Sequence, residues 1–445
     1  MVKTRIHTLI ATATIVLLGG ASPMARAQQG RVLETLRDLQ MENIQVAQKN
    51  DTVVAAFETS VYRGNYGALG LAIGALLELP EARNLQLVLL SDALPELCVT
   101  LPGNLVDEYR EGTIGLEDVY QRMRMSVDDI GEAMRALRGS KRERSNFGKI
   151  DIVVYPGVTL INNVTYKLYR AAFDLQPAVE TQLWKGASLR LQICFPIVNN
   201  EGGEWSRIRP GFLTLRQRFT IDRNWRGFVT GGNFSNSRIG VAGGVGYYST
   251  NRIWKIEAEG GLTGSSHLYA PDPRVSSWKR FDGRIRAGCY IPLFNTQVDV
   301  DGGRFVYGDY GVRATLTRYF GEYLVGLYAM YTGGDKNYGF HFSVPLPGKK
   351  RSRHLVRLMA PRQFAFQYSM RSGSDYTKRA LGVNYNTEPK SATDARFWQP
   401  DYIRHFLIET HRRTERKNDK KRGTEHDSKH ETEHENRYEN NRITN

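Results

Sequence analysis

The residues best placed to act on a ligand are cations. Arg216, Arg218, Lys255, Arg284 and Arg286 each fall on the polar phase of a segment that alternates polar and apolar residues. Fixed positive charge along such a face attracts acidic sugars or lipid headgroups without covalent chemistry. Arg304 and Asp309 flank Phe305-Val306-Tyr307-Gly308. Gly308-Asp309-Tyr310-Gly311 reads first as a tight hairpin turn, and Arg304 and Asp309 alternatively as an ion pair or sugar-binding pair on the same polar face. Covalent chemistry finds little support. Ser265-Ser266-His267 sets a hydroxyl beside an imidazole, but neighbouring strand residues point to opposite faces. Gly231-Gly232 and Gly243-Gly244 lack the following helix that a phosphate cradle needs. His426, His430 and His434 would share one face of a helix and bind a metal weakly. Their acidic surroundings read more simply as a solvated tail. No enzymatic activity, cofactor or metal site is expected.

The cations belong to a chain of 445 residues with a formal net charge of +15. Residues 28–147 hold 13 basic and 18 acidic side chains, and residues 411–445 hold 10 and 8. Residues 148–410 carry 35 and 20, so the excess belongs to that one segment. Aromatic residues at 11% exclude bulk disorder, and three scattered cysteines (Cys98, Cys194, Cys289) do not make a disulfide scaffold. Each cysteine reads as a small buried hydrophobe. No apolar run of about 20 residues follows the N-terminus, which excludes a helical membrane protein. Nucleic acid is not an expected partner, because there is no basic helix or aromatic-basic platform.

Lys3 and Arg5, the apolar stretch Leu9 to Leu18 and Ala25-Arg26-Ala27 form a secretory signal pattern over residues 1–27, with cleavage expected before Gln28. Residues 28–103 read as a small α+β domain whose helices cover one sheet face. Its order is a helix at 31–40, strands at 44–47 and 52–57, a helix at 66–79, and strands at 85–90 and 96–101. Residues 104–147 read as a partly helical connector ending in the basic linker Gly139 to Ser145.

From Lys149 the pattern has period two. Trp254, Ile256, Ala258 and Leu262 alternate with Lys255, Glu257 and Glu259, and Phe281, Ile285, Ala287 and Cys289 alternate with Asp282, Arg284 and Arg286. Further stretches lie at 187–195, 213–221, 239–247, 312–320, 340–344, 364–370 and 381–385. A soluble sandwich or barrel would turn the apolar phase inward. An outer-membrane barrel would turn it to lipid. The consecutive charges, the strand length and the aromatic residues near strand ends favour the membrane. The predicted fold is therefore mainly β. It is a transmembrane antiparallel barrel of about 12–16 strands, even in number, over residues 148–408. A disordered, charged, His-rich tail is expected over 409–445. The last strand is sought at 381–385 or 402–407.

One block is specific. Gly302-Gly303-Arg304-Phe305-Val306-Tyr307-Gly308-Asp309-Tyr310-Gly311 continues through Val312–Phe320, then Val325-Gly326, Gly339-Phe340 and Val344-Pro345-Leu346. With Glu42-Asn43-Ile44-Gln45-Val46, Glu58 and Tyr62-Arg63, it resembles the YjbH-like family of outer-membrane proteins associated with exopolysaccharide and capsule secretion. The resemblance covers most of residues 31–350. The chain is shorter than many members, has no lipobox cysteine and ends in a polar tail without counterpart. The resemblance implies a barrel with a periplasmic first domain that takes part in polysaccharide export or assembly. The partners would be anionic polysaccharide or lipopolysaccharide, outer-membrane lipid and periplasmic export proteins. A barrel that scaffolds other envelope proteins is the alternative, and a lipid- or glycan-modifying enzyme stands third.

Overall fold

A computed structural model describes residues 23–62, 66–80, 84–163, 167–200, 202–346, 355–371, 380–389 and 398–418. The hydrophobic core of the signal pattern and the residues 419–445 that contain His426, His430 and His434 lie outside these.

The N-terminal domain begins with α1 (Pro23–Asp38), which buries Val32 and Leu36. Two strands follow, β1 (Glu42–Lys49) and β2 (Thr52–Glu58), then α2 (Gly67–Leu77), β3 (Asn84–Ser91) and β4 (Leu94–Leu101). The helix α2 carries the crossover between β2 and β3, which pair in parallel. β2 is buried at successive positions from Val53 to Glu58. Burial without alternation means that both faces of the sheet are covered, whereas the sequence pointed to one.

The connector expected over 104–147 is part of this domain. It forms α3 (Gly103–Arg110), α4 (Leu116–Arg122), β5 (Arg124–Ser126) and α5 (Ile130–Ala136). β5 pairs with β4 and completes a five-stranded sheet. Val106, Val119, Tyr120, Ile130 and Leu137 join the same core. Even the basic linker is stitched down: the Glu143 N–H donates to the Ile44 carbonyl (2.7 Å), and the Ile44 N–H returns the bond (2.9 Å).

The remainder is a sheet of fifteen strands. These are β6 (Ile150–Asn163), β7 (Lys167–Trp184), β8 (Ala187–Asn199), β9 (Arg209–Thr220), β10 (Trp225–Phe234), β11 (Arg238–Tyr248) and β12 (Trp254–His267). There follow β13 (Arg274–Val275), β14 (Arg280–Ile291), β15 (Thr296–Arg304), β16 (Tyr310–Phe320), β17 (Tyr323–Thr332), β18 (Asp335–Pro345), β19 (Val356–Met359) and β20 (Gln363–Arg371). The short β13 and β19 are additions to a series of thirteen. In that series each strand pairs antiparallel with the next, β11 with β12 included, and β20 pairs in parallel with β6. β19 pairs in parallel with the start of β6. A closed, wholly antiparallel series needs an even number of strands. The series observed here is odd, thirteen strands with one parallel pairing between β20 and β6, where an even number was expected.

The polarity of this sheet is inverted relative to a soluble core. Along β12, Trp254, Ile256 and Leu262 are exposed while Lys255, Glu257 and Thr263 are buried. β16 and β17 repeat the pattern, with Val312, Leu316, Leu327 and Tyr331 outward and Thr317, Tyr328 and Thr332 inward. Gly333 and Gly334 take positive φ (55° and 94°) in the β17–β18 turn, where a side chain would be strained.

The C-terminal part differs from expectation. Residues 400–418 form a helix, α6, rather than a strand and a disordered tail. Tyr402, Ile403, Phe406 and Leu407 enter the core of the N-terminal domain, with Trp398. The close approach falls at Gly70, where a Cβ would sit 3.0 Å from the Tyr120 hydroxyl and 3.2 Å from Leu407. Residues 381–385 are not a strand either; they lie inside the ring of strands.

Candidate functional site

The inward faces of the ring strands and the β3–β4 end of the N-terminal domain enclose a cavity of about 730 Å³. Its wall is built by cross-strand register. On neighbouring strands, Glu257 faces Arg286, Arg286 faces Asp301, and Asp301 faces Arg313. This row alternates in sign, so each charge sits beside its opposite. A second step pairs Glu259 with Arg284, whose guanidinium donates at 2.6 Å. Lys255 lies 2.9 Å from Glu257 and 3.2 Å from Asp299 and is almost fully buried. Arg286 lies 3.5 Å from Glu257 and 3.8 Å from Asp301. Arg313 stacks over the Tyr328 ring at 4.0 Å. Such buried charges are tolerable only when paired.

The other half of the wall follows the same rule. Arg190 donates to Glu180 (2.8 Å), which also accepts from the Tyr155 hydroxyl (2.6 Å). Arg209 meets Asp174 (2.7 Å), and Arg357 holds Asp151 with two bonds (2.6 and 2.9 Å). Arg216 stacks on Phe228 and lies 3.0 Å from Glu388.

At the rim nearest the N-terminal domain, the β3–β4 hairpin docks on the ring. Arg218 donates to Asp92 (2.8 Å), Glu96 (2.5 Å) and the Ser91 hydroxyl (3.0 Å). Arg226 lies 3.3 Å from the same Glu96, and the Gly186 N–H donates to the Asp92 carbonyl (2.8 Å). Glu58, at the end of β2, clamps the hairpin from behind. It accepts from the Asp92 and Ala93 N–H groups (3.0 and 3.2 Å) and from Asn43 (2.7 Å). Burial, helped by the Asp92 charge, pushes the Glu58 carboxyl up to about 7, while those donors pull the other way.

The structure therefore brings Arg216, Arg284 and Arg286 to one cavity, with Arg218 at its mouth, while Lys255 does not line it and is buried behind Glu257 and Asp299. It gives each of them acidic partners, so the inner wall is not the seat of the positive excess. Surplus cations lie on the rims, at exposed Lys185, Arg207, Lys279 and Arg280. In the sequence, residues 347–354, outside the described set, carry Lys349, Lys350, Arg351 and Arg353 and no acid. Arg304 and Asp309 do not pair with each other. The Arg304 guanidinium donates to the Phe281 carbonyl, and Asp309 accepts from the Thr332 hydroxyl (2.6 Å) and the Gly382 N–H (2.8 Å). The turn lies earlier than the expected 308–311: the Phe305 N–H donates to the Asp309 carbonyl (2.8 Å) and the Gly308 N–H to the Phe305 carbonyl (3.0 Å), while Tyr310 and Gly311 already belong to β16.

Ser266 donates to Asn233 (2.5 Å), while the His267 Nδ1 lies 3.7 Å from Glu204. They share no bond that would make a nucleophile and base. The three cysteines are unpaired, and no group of three or more metal-ligating side chains occurs among the described residues. No described helix is long and apolar enough to cross a membrane.

Sequence reasoning missed the acidic partners Asp299, Asp301, Glu180 and Glu388. The signal for Asp299 and Asp301 was present in Val298-Asp299-Val300-Asp301, a further alternating stretch, while Glu388 lies outside any strand. Only the register assigns them to cations on other strands. No family model matches the chain, and no curated protein or solved structure does either.

Proposed function

We propose that the thirteen strands close into a barrel spanning an outer membrane, with the N-terminal domain and α6 on the periplasmic side. The observation that carries this is the inverted polarity: apolar side chains face out around the ring, and paired charges fill the inside. A bare apolar band is costly in water and favourable in lipid. Two groups of exposed aromatic residues support it. Trp184, Trp225, Tyr247, Trp254, Phe320 and Tyr323 lie at the strand ends nearest the N-terminal domain, and Tyr307, Tyr310, Tyr331 and Tyr338 lie at the opposite ends. That is the placement of interfacial girdles. Lipid cannot satisfy an open sheet edge, and the seam is bridged at both ends, by β20 over Ser369–Arg371 and by β19 over Val356–Met359, each pairing with β6. Membrane fractionation with a heat-modifiability gel tests this reading. The full chain is expected in the outer-membrane fraction with a mobility shift on heating; its absence from that fraction, without a shift, overturns the barrel.

We further propose that the barrel takes part, without covalent chemistry, in secretion or assembly of an extracellular polysaccharide. This rests on the resemblance of the 302–346 block. The paired charges of the wall favour docking of polymer at the rims over its free passage. Deletion of the gene is expected to lower extracellular polysaccharide, with rescue by the intact chain. Unchanged polymer would remove this reading and leave the barrel standing. A scaffold barrel for other envelope proteins is the second reading, favoured by the filled interior. Purified protein without conductance that retains periplasmic partners would select it.

A further inference from the structure

The chain leaves β20 at the rim far from the N-terminal domain, yet Trp398 and α6 pack on that domain. Residues 380–389 lie between the two rims, within the ring. At the far end Leu381 packs on Phe305, Tyr328 and Met330, and the Val306 N–H donates to the Val383 carbonyl (3.2 Å). Tyr385 stacks on Phe234 with ring centres 5.1 Å apart. Gly261 on β12 makes room for it: a Cβ there would overlap the Tyr385 hydroxyl. Asn386 exchanges bonds with Ser235: the Ser235 N–H donates to its carbonyl (3.2 Å), and its own N–H donates to the Ser235 hydroxyl (2.8 Å). Deeper in, Arg216 donates to Thr387 (3.2 Å), and Glu388 reaches Arg216 (3.0 Å) and Arg190 (3.6 Å).

We propose that residues 380–389 are a displaceable plug, latched by Glu388, that closes the interior of the barrel when seated and opens it when withdrawn. The proposal rests on the membrane-barrel reading. The wall is arranged to survive withdrawal. Arg190 has a second partner in Glu180 at 2.8 Å, and Arg216 a stack on Phe228 at 4.0 Å, and neither contact involves Glu388. The seat itself is imperfect: the Arg216 Nε and the Asp309 Oδ1 are buried without a hydrogen-bond partner. The segment forms no strand, so only scattered bonds hold its backbone to the wall. Two arrangements close in free energy are what a gate requires.

The test uses the full chain in planar bilayers. Wild type is expected to conduct rarely. Glu388→Gln removes the latch charge and should raise the open fraction about tenfold, within the usual range for such couplings. A disulfide between S235C and N386C, added to E388Q, should return the current to the wild-type level, and reductant should restore it. Folding of every variant is checked by the heat-modifiability shift. A folded, inserted E388Q that conducts as wild type, or a cross-linked protein that conducts as freely as the reduced one, overturns the plug and leaves the barrel reading intact. A chain that does not insert at all overturns the barrel, and the plug with it.

Discussion

The two halves of this molecule bury opposite things. The N-terminal domain hides Phe57, Leu69, Ile73 and Leu87 and keeps most of its charges on the surface, with Glu42, Glu58 and Glu96 as buried exceptions. The strand ring hides Lys255, Glu257, Asp282 and Asp299 and leaves Ile256, Ile285, Leu316 and Leu327 outside. Both obey one rule, that each side chain seeks the medium it resembles. The difference is what the proposed membrane barrel requires of its exterior. It also shows why its interior charges alternate in sign from strand to strand: without water, each needs a partner on the neighbouring strand.

The comparison can be broken at four points. Phe57→Ala should cost about 3–5 kcal/mol by leaving a cavity in the domain core. Lys255→Ala should cost a similar 3–5 kcal/mol for a different reason, because Glu257 and Asp299 lose a buried partner. Urea unfolding of the full chain in vesicles measures both. Restoring neutrality with Lys255→Met plus Glu257→Gln should recover part of the second loss and none of the first. Leu316→Arg, on the outer face, should cost about 2–4 kcal/mol in lipid. A neutral outcome for that variant would mean that the ring faces water.

Glu58 sets a smaller effect. Its folded-state pKa of about 7 lies above the ordinary 4.5. The folded chain therefore binds more protons between those values, and its stability falls as pH rises through that window, by about 2–3 kcal/mol. Glu58→Gln should flatten the slope; an unchanged pH profile would place the proton elsewhere. The smallest effect is expected at Arg412, which pairs with Glu117 across an exposed contact between α6 and α4. Arg412→Ala should cost less than about 1 kcal/mol, and a larger loss would make that contact a principal hold on the helix.

Much of this was legible in the residues. The alternation of 254–262 and 281–291 corresponds to β12 and β14, and the helix-strand-strand order of the N-terminal domain matches its elements closely. The cations of the cavity were legible too, because period two assigns them to the polar face. Two errors had local causes. Tyr402, Ile403, Phe406 and Leu407 repeat with helical spacing, which identifies α6, but a search for a terminal strand reads them as apolar and no more. Val106, Val119 and Leu137 are spread over short helices, so no single window shows that 104–147 belongs to the core.

The sequence by itself determined which residues of each strand face the same way and how the charges divide along the chain, because both are properties of neighbours a few positions apart. Only the tertiary structure decided which charges meet, that β20 returns to β6 in parallel, and that residues 380–389 fill the interior. Those depend on register and on contacts between residues more than 200 positions apart, such as Arg357 and Asp151 or Arg412 and Glu117, and no local pattern encodes them.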